Sequence, residues 1–450
     1  MNKIKLYFSN FINGWIYPFF VAFFVLLGHT FSIEIFSFFV IVISAILGFF
    51  VCNNDLKFLL SPVLMIVFTV SEKSSNLGAG KLFHSSSVFF IFSIAFAFAI
   101  SLIIYLIINR KKLYFSGLLK SPMFYAFLVF GIGVALNGLF VKDGFSFNNF
   151  LYSLAVIASF LGIYTVFYIT INFSKNFRKY FVVVLYIASI VVLIEFFSLF
   201  LNGQVKFSDG KIIKETVVTG WGIWNNMGCM LTMLLPIHFY LAAFSKKFSF
   251  VFYLTGVISY IAIVLSLSRS SLLVSTILIF ASVIYVCFYG KNKISNRIIT
   301  VFFIIVGITG IVILWDKIQN ILNDYIVRGL SDNGRFNIYI DGLVKYLQYP
   351  VFGTGFFSYS IHQSGWLPFG FHNTIIQMLA SCGTVGIVAY LYHRFKTVQI
   401  CYKKKSARNF PLYLSIAGLV LTSLLDVHFF NIYPAFYYSL ILLTIERTNE

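Results

Sequence analysis

The chain has 450 residues, of which 60% are hydrophobic and 10% charged, with a net charge of +19 and a mean hydropathy of +0.91. Soluble domains carry about 25% charged residues, and a chain with 57 Phe and 27 Tyr cannot stay solvated without folding. A water-soluble domain and a disordered chain are therefore both excluded, which leaves an integral membrane protein.

Runs such as 88–108 and 181–201 are apolar on every face and reach the roughly 20 residues that a helix needs to cross a bilayer. A membrane β-barrel would alternate over short strands instead. The expectation is an all-α, polytopic integral membrane helical bundle with about 14 transmembrane helices, forming a single membrane domain over 1–450. In chain order the spans are 11–29, 33–51, 57–70, 87–108, 122–140, 149–171, 181–201, 221–244, 249–267, 271–289, 298–315, 372–392, 411–425 and 430–445. Spans 1–11 thus occupy 11–315, a large loop occupies 316–371, and spans 12–14 occupy 372–445. The first span lacks a small-residue cleavage site and reads as an uncleaved insertion signal. Pro62 interrupts the short third span, whose freed backbone groups need neighbouring partners.

Placing the N-terminus in the cytoplasm and alternating puts 22 of the 33 Lys and Arg on the inside. Short connections such as 109–121 and 393–410 are densely basic, as the positive-inside rule requires. Both termini are then cytoplasmic, and the net charge is an orientation signal, so nucleic acid is not an expected partner. The five cysteines, Cys52, Cys229, Cys287, Cys382 and Cys401, fall in spans or cytoplasmic connections and lack metal-ligand spacing, so neither a disulfide nor a metal site is expected.

The loop 316–371 is far longer than any other connection and, on this topology, extracytoplasmic; loops of that length are commonly functional. It carries two helical stripes: Ile318, Ile321, Leu322, Tyr325 and Ile326, then Phe336, Tyr339, Ile340, Leu343, Val344 and Leu347. Such amphipathic helices lie along the outer membrane face or against the bundle. The alternative is a plain packing cap.

Three polar positions stand out on the outer side. Arg269, in Ser268-Arg269-Ser270, lies between two apolar runs with no acidic residue between Glu215 and Asp316, so it must face water, a partner helix or an anionic ligand. Arg335 opens the second loop helix after Asp332-Asn333-Gly334, and His372 opens the span that follows the loop. Singly they read as a snorkelling anchor, a surface charge and an interfacial histidine. Together, two arginine forks suit phosphate oxygens and a histidine can accept a proton near neutral pH. That combination describes transfer from a lipid-linked diphosphate.

Arg335, then Tyr349-Pro350-Val351-Phe352-Gly353-Thr354-Gly355, then His372-Asn373-Thr374-Ile375-Ile376-Gln377, then Gly383-Thr384-Val385-Gly386 resembles the signature segment of the O-antigen polymerase and ligase superfamily. Ser268-Arg269-Ser270 resembles the upstream Ser-Arg-Gly/Ser element of that family, and Trp221-Gly222-Ile223-Trp224-Asn225-Asn226 is similar to its weaker Gly-x-x-x-Asn element. The match runs in order over about 220–390. The resemblance implies a metal-independent, GT-C-like glycosyltransferase of the bacterial cytoplasmic membrane. It would need no cofactor and would use a glycan on undecaprenyl diphosphate at the outer face. It implies that Arg269 and Arg335 hold the donor diphosphate. It makes His372 the general base, or the group that orients the acceptor hydroxyl.

Other residues have two readings each. Asp426 either orients His372, pairs with an arginine or is an interfacial carboxylate. Glu195, an acid inside a span, is functional or pairs structurally with Arg269. Gly353 and Gly355 read as a turn more than as a phosphate cradle, and Asn373 as a helix cap or orienting amide. A polymerase of lipid-linked repeat units is the leading expectation, for O-antigen, capsule or exopolysaccharide, with the lipid bilayer and a chain-length regulator as candidate partners. A ligase delivering polymer to lipid A core or another acceptor shares the donor chemistry. A non-enzymatic flippase would place polar groups near the bilayer midplane in paired halves, whereas here they collect at the outer rim.

Overall fold

Inside a bilayer every backbone polar group must be satisfied within a helix or a closed barrel, and the computed structural model of the chain is built almost wholly of helices. The structure describes residues 3–52, 55–70, 88–142, 144–174, 176–208, 211–245, 247–291, 293–316, 318–319, 323, 335–357 and 370–448. The first part of the chain forms α1 (Lys3–Ile12), α2 (Ile16–Phe31), α3 (Glu34–Val51), α4 (Leu60–Met65), α5 (Val67–Val70), α6 (Val88–Ile108) and α7 (Phe115–Leu118). Next come α8 (Pro122–Ala135), α9 (Phe147–Thr170) and α10 (Phe177–Leu201). After two small hairpins follow α11 (Trp224–Phe244), α12 (Ser249–Leu265), α13 (Arg269–Tyr289) and α14 (Lys293–Ile313). The last four are α15 (Arg335–Gln348), α16 (Thr374–Lys403), α17 (Phe410–Ser423) and α18 (Ile432–Arg447).

Every apolar run expected to span the membrane contains helix. Among the described residues, eight helices are long and apolar enough to cross a bilayer, or nine if Lys5–Ile12 and Ile16–Phe31, bent by 73°, make one span. The expected count of about fourteen is thus not carried by helix length alone, because several runs are cut short. The 57–70 run breaks into a 3₁₀ turn, α4 and α5 around Pro62. The 122–140 run stops helical geometry at Ala135.

Local chemistry sets several helix starts. Ser121 accepts from Phe124 N–H at 3.0 Å with Pro122 at the first helical position, and Ser146 accepts from Asn149 N–H at 3.2 Å, each satisfying an orphan donor. Helix α11 runs through the centre, buried from Met227 to Ala243, and packs on α10, α12, α13 and α17. Gly228 lets it approach closely: a Cβ there would lie 2.8 Å from Ser271 Oγ and 3.1 Å from Ser268 Cβ on α13. Small residues at crossings are how helices pack in lipid, where burial of apolar surface supplies little drive. Helices α6 and α14 are peripheral, with most of their apolar side chains exposed.

Between α10 and α11 the chain forms two antiparallel hairpins of two-residue strands, β1 (Phe207–Ser208) with β2 (Lys211–Ile212) and β3 (Val218–Thr219) with β4 (Gly222–Ile223). The sequence reading anticipated no strands there. In the long loop, the second stripe is helical as α15. Its inner face, from Arg335 through Tyr339 to buried Gly342, packs on α16. Phe336, Ile340, Leu343, Val344 and Leu347 point away from the protein and are exposed, the arrangement of a helix lying at a membrane interface. Of the first stripe, Ile318 is described and Ile321, Leu322, Tyr325 and Ile326 lie outside the described residues, as does the Asp332-Asn333-Gly334 turn.

Helix α16 is broken within its length. Gly383 has φ 64° and ψ −159°, a conformation essentially reserved for glycine. The segment 350–355 enters this break. Thr354 and Gly355 N–H groups donate to the Ala380 and Ser381 carbonyls (2.8 and 2.9 Å), while Thr384 and Val385 N–H groups donate to the Pro350 and Val351 carbonyls (2.7 and 3.1 Å). The backbone groups freed by the break are thereby satisfied, as the apolar surroundings demand.

Candidate functional site

The side chains singled out in the sequence gather at one end of the bundle, on segments that only the fold brings together. The connection 424–431 between α17 and α18 dips into the protein, so that Phe429 and Phe430 are fully buried and the Phe429 ring lies 4.8 Å from that of Phe160. Three residues of this connection are gripped in succession. Asn373 Nδ2 donates to the Leu424 carbonyl at 2.8 Å, Arg335 Nη1 donates to the Leu425 carbonyl at 3.0 Å, and His372 Nδ1 lies 3.0 Å from Asp426 Oδ1. Asn373 also caps α16, its Oδ1 accepting from Ile375 and Ile376 N–H at 2.8 and 3.1 Å, as the sequence anticipated. One amide therefore fixes both the start of α16 and the Asp426 connection.

The Asp426 carboxylate is buried and densely bonded. Oδ1 accepts from Val427 N–H at 2.8 Å as well as from His372. Oδ2 accepts from Asn225 Nδ2 at 3.2 Å and lies 3.8 Å from His428 Nε2. Burial alone would raise its pKa. The His428 charge and the His372 hydrogen bond outweigh burial and hold it well below the usual carboxylate range. His428 is itself pushed below the ordinary histidine value by burial. The His372 side chain, by contrast, is 40% exposed. A neutral ring that donates from Nδ1 to this carboxylate would carry its free lone pair on Nε2, the tautomer a general base requires.

Backbone geometry marks the same places. His372 has φ 46°, and Leu267, two residues before Arg269, has φ 57°. Non-glycine residues held in this region cost about 1–3 kcal/mol and cluster at functional sites. Arg269 is the first residue of α13, half-buried, beside the contact of Ser268 and Ser271 with Gly228 in the first turns of α11. Asn225, which reaches Asp426, is in the first turn of α11. Arg335, by way of Leu425, sits next to the same carboxylate.

Glu195 lies deeper and touches a different element. Its Oε2 accepts from Gly220 N–H at 2.9 Å and its Oε1 lies 3.5 Å from His29 Nδ1. Gly220 is in the turn of the β3–β4 hairpin, so Glu195 holds the segment that leads into α11 and Asn225. Gly353 (φ 66°) and Gly355 (φ 87°) are buried turn residues. A Cβ on Gly353 would lie 2.5 Å from Cys382 N and Ser381 O, so the α16 backbone occupies the space beside it.

Two participants escaped the sequence reading, Asn225 and His428. Asn225 stands in a segment quoted there, Trp224-Asn225-Asn226, and His428 two residues from Asp426, but nothing local signals that Asn225 and Asp426, 201 positions apart, meet.

Residues 254–391 match a family model described as O-antigen ligase. The match takes in Arg269, Arg335, Gly353, Gly355, His372 and Asn373, and leaves Glu195, Asn225, Asp426 and His428 outside it. No curated protein matches the chain.

Proposed function

For a chain whose residues 254–391 place it in the O-antigen polymerase and ligase superfamily, we propose the activity of a polymerase. It joins undecaprenyl-diphosphate-linked oligosaccharide repeat units at the outer face of the cytoplasmic membrane, in O-antigen, capsule or exopolysaccharide assembly. The observation that carries this reading is the His372–Asp426 pair at 3.0 Å with an exposed imidazole. A base of this form takes the proton from an acceptor hydroxyl as its oxygen attacks the anomeric carbon of the donor. The bond from that carbon to the diphosphate oxygen breaks, and the lipid diphosphate leaves with its electron pair. Arg335 and Arg269 are suited to hold the charge that develops there. In this reading the arginines do the work a metal ion does elsewhere, and no cofactor takes part. Among the described residues no three His, Cys, Asp or Glu side chains gather as metal ligands.

Asn373, Glu195, Gly353 and Gly355 act in this scheme by holding the segments that carry the reacting groups. Both termini are cytoplasmic, the site is extracytoplasmic, and a chain-length regulator is a candidate partner protein. A ligase reading, with lipid A core or another acceptor, has the description of the matched family in its favour. Both use the same donor half of the site and differ in the acceptor. Purified protein in liposomes, given one defined lipid-linked repeat unit, should produce a ladder of longer lipid-linked chains. Transfer only when a different acceptor lipid is supplied would replace the polymerase reading by the ligase one.

A further inference from the structure

At the end of the bundle opposite His372, a recess of about 570 Å³ opens between the last turns of α13, the first turn of α17 and the connection 404–409. Its volume falls within the range of about 300–1,000 Å³ that small-molecule sites occupy. The wall is apolar and aromatic. The Tyr285 ring stacks on Tyr289 (5.7 Å) and on Phe410 (5.6 Å), and Ile284 and Tyr413 continue the surface.

Charge at the rim separates this recess from ordinary lipid-facing surface. Lys405 lines the recess, its ammonium over the Tyr402 ring at 5.1 Å. Arg408 is exposed on the same connection. Lys403, Lys404, Lys405 and Arg408 make this connection one of the basic segments that the positive-inside pattern assigns to the cytoplasmic leaflet.

We propose that this recess is a binding site for an anionic phospholipid of the cytoplasmic leaflet, its acyl chain against Tyr285, Tyr289 and Phe410 and its phosphate at Lys405 and Arg408. A basic pocket between membrane helices on this side fits an acidic lipid headgroup through exposed ammonium and guanidinium groups, while a zwitterionic lipid fills the apolar wall without answering the charge. The site does not depend on the reaction proposed above, because it lies at the other end of α16 and shares no residue with that machinery.

The test uses the full-length protein in detergent, titrated with phosphatidylglycerol or phosphatidylcholine and followed by thermal unfolding, with native mass spectrometry counting retained lipids. Phosphatidylglycerol should stabilise the protein and remain bound, and phosphatidylcholine should do neither to the same extent. The double substitution Lys405→Ala, Arg408→Ala changes only exposed side chains and should weaken phosphatidylglycerol binding roughly 30-fold, from the contribution of two basic residues at a membrane surface. Equal stabilisation by the two lipids, an unchanged affinity in the double variant, or the same stabilisation by inorganic phosphate alone would each overturn the assignment.

Discussion

Replacing Asp426 by asparagine keeps the size of the side chain and changes only what it can hydrogen-bond. In the native protein both oxygens accept, Oδ1 from His372 and Val427 N–H and Oδ2 from Asn225. An amide offers one acceptor and one donor. If its oxygen faces His372, its NH₂ meets the Asn225 NH₂ at a distance set for a hydrogen bond. If its NH₂ faces His372, the imidazole must move its proton to Nε2 and loses the lone pair that faces the acceptor. Either outcome removes the negative charge that stabilises the imidazolium formed during proton transfer. The analogous change in a Ser-His-Asp triad lowers kcat by about 10⁴, and positioned general bases contribute about 10²–10⁴. Asp426→Asn should therefore slow single-turnover chain extension by about 10²–10⁴, roughly 3–5 kcal/mol of barrier. His372→Ala should match it, and the double variant should be no slower than either single one, because the two act as a unit. The folded-state pKa of Asp426 is depressed, so its stabilising contribution is complete above the ordinary carboxylate value and lost as pH falls through the folded one. Wild type should thus exceed Asp426→Asn in unfolding temperature above about pH 4, and the two should converge only below that. A folded Asp426→Asn protein retaining more than a tenth of the wild-type rate would refute the reasoning.

Arg269→Ala and Arg335→Ala should each abolish polymer formation with protein levels in the membrane unchanged, measured by product gels beside immunoblots; wild-type polymer from the Arg335 variant would remove it from the reaction. Asn225→Ala deletes a single hydrogen bond to a charged group, worth about 1.5–3 kcal/mol, and should cost at least about tenfold in turnover without changing the apparent affinity for donor. Gly383→Ala forces a side chain into a glycine-only conformation with its Cβ 2.5 Å from the Val351 carbonyl carbon and 2.6 Å from Gly353 N. With backbone on the other side there is nothing flexible to yield, and a loss of about 3 kcal/mol or more is expected, visible as a lower unfolding temperature in detergent. An unchanged melting curve would contradict the close approach.

Hydrophobicity alone made the helices legible, because a segment that faces lipid or other helices is apolar all round and needs no long-range information to be recognised. The cap at Asn373 and the Gly353–Gly355 turn were legible for the same reason, as local backbone chemistry. The bend between α1 and α2 and the break in α16 were not, since Gly383-Thr384-Val385-Gly386 is an ordinary apolar stretch until the segment 350–355 supplies its missing hydrogen bonds. Asp426 had three readings, of which orienting His372 was one, and only the inward dip of 424–431 decides among them. Asn225 carries no local mark at all, its role coming from a carboxylate on a distant connection, and His428 meets that carboxylate within the same inward dip. Glu195 was noticed for being an acid in a span, but its partners, His29 and Gly220, lie on a helix end and a hairpin too short to leave a pattern.

The interlock at Gly383 has a consequence for how proteins built this way can diversify. All four hydrogen bonds that close the break are main chain to main chain, so replacing Val351, Phe352, Thr354 or Val385 by another residue leaves them in place. Adding or deleting one residue between 350 and 355 would displace all four at once, along with the bond from Gly138 N–H to the Phe352 carbonyl at 2.9 Å. Apart from Gly353, Gly355 and Gly383, side-chain identity at this joint is free to drift while chain length is not. A reader comparing related chains should therefore find gaps placed on either side of the joint, and never within it.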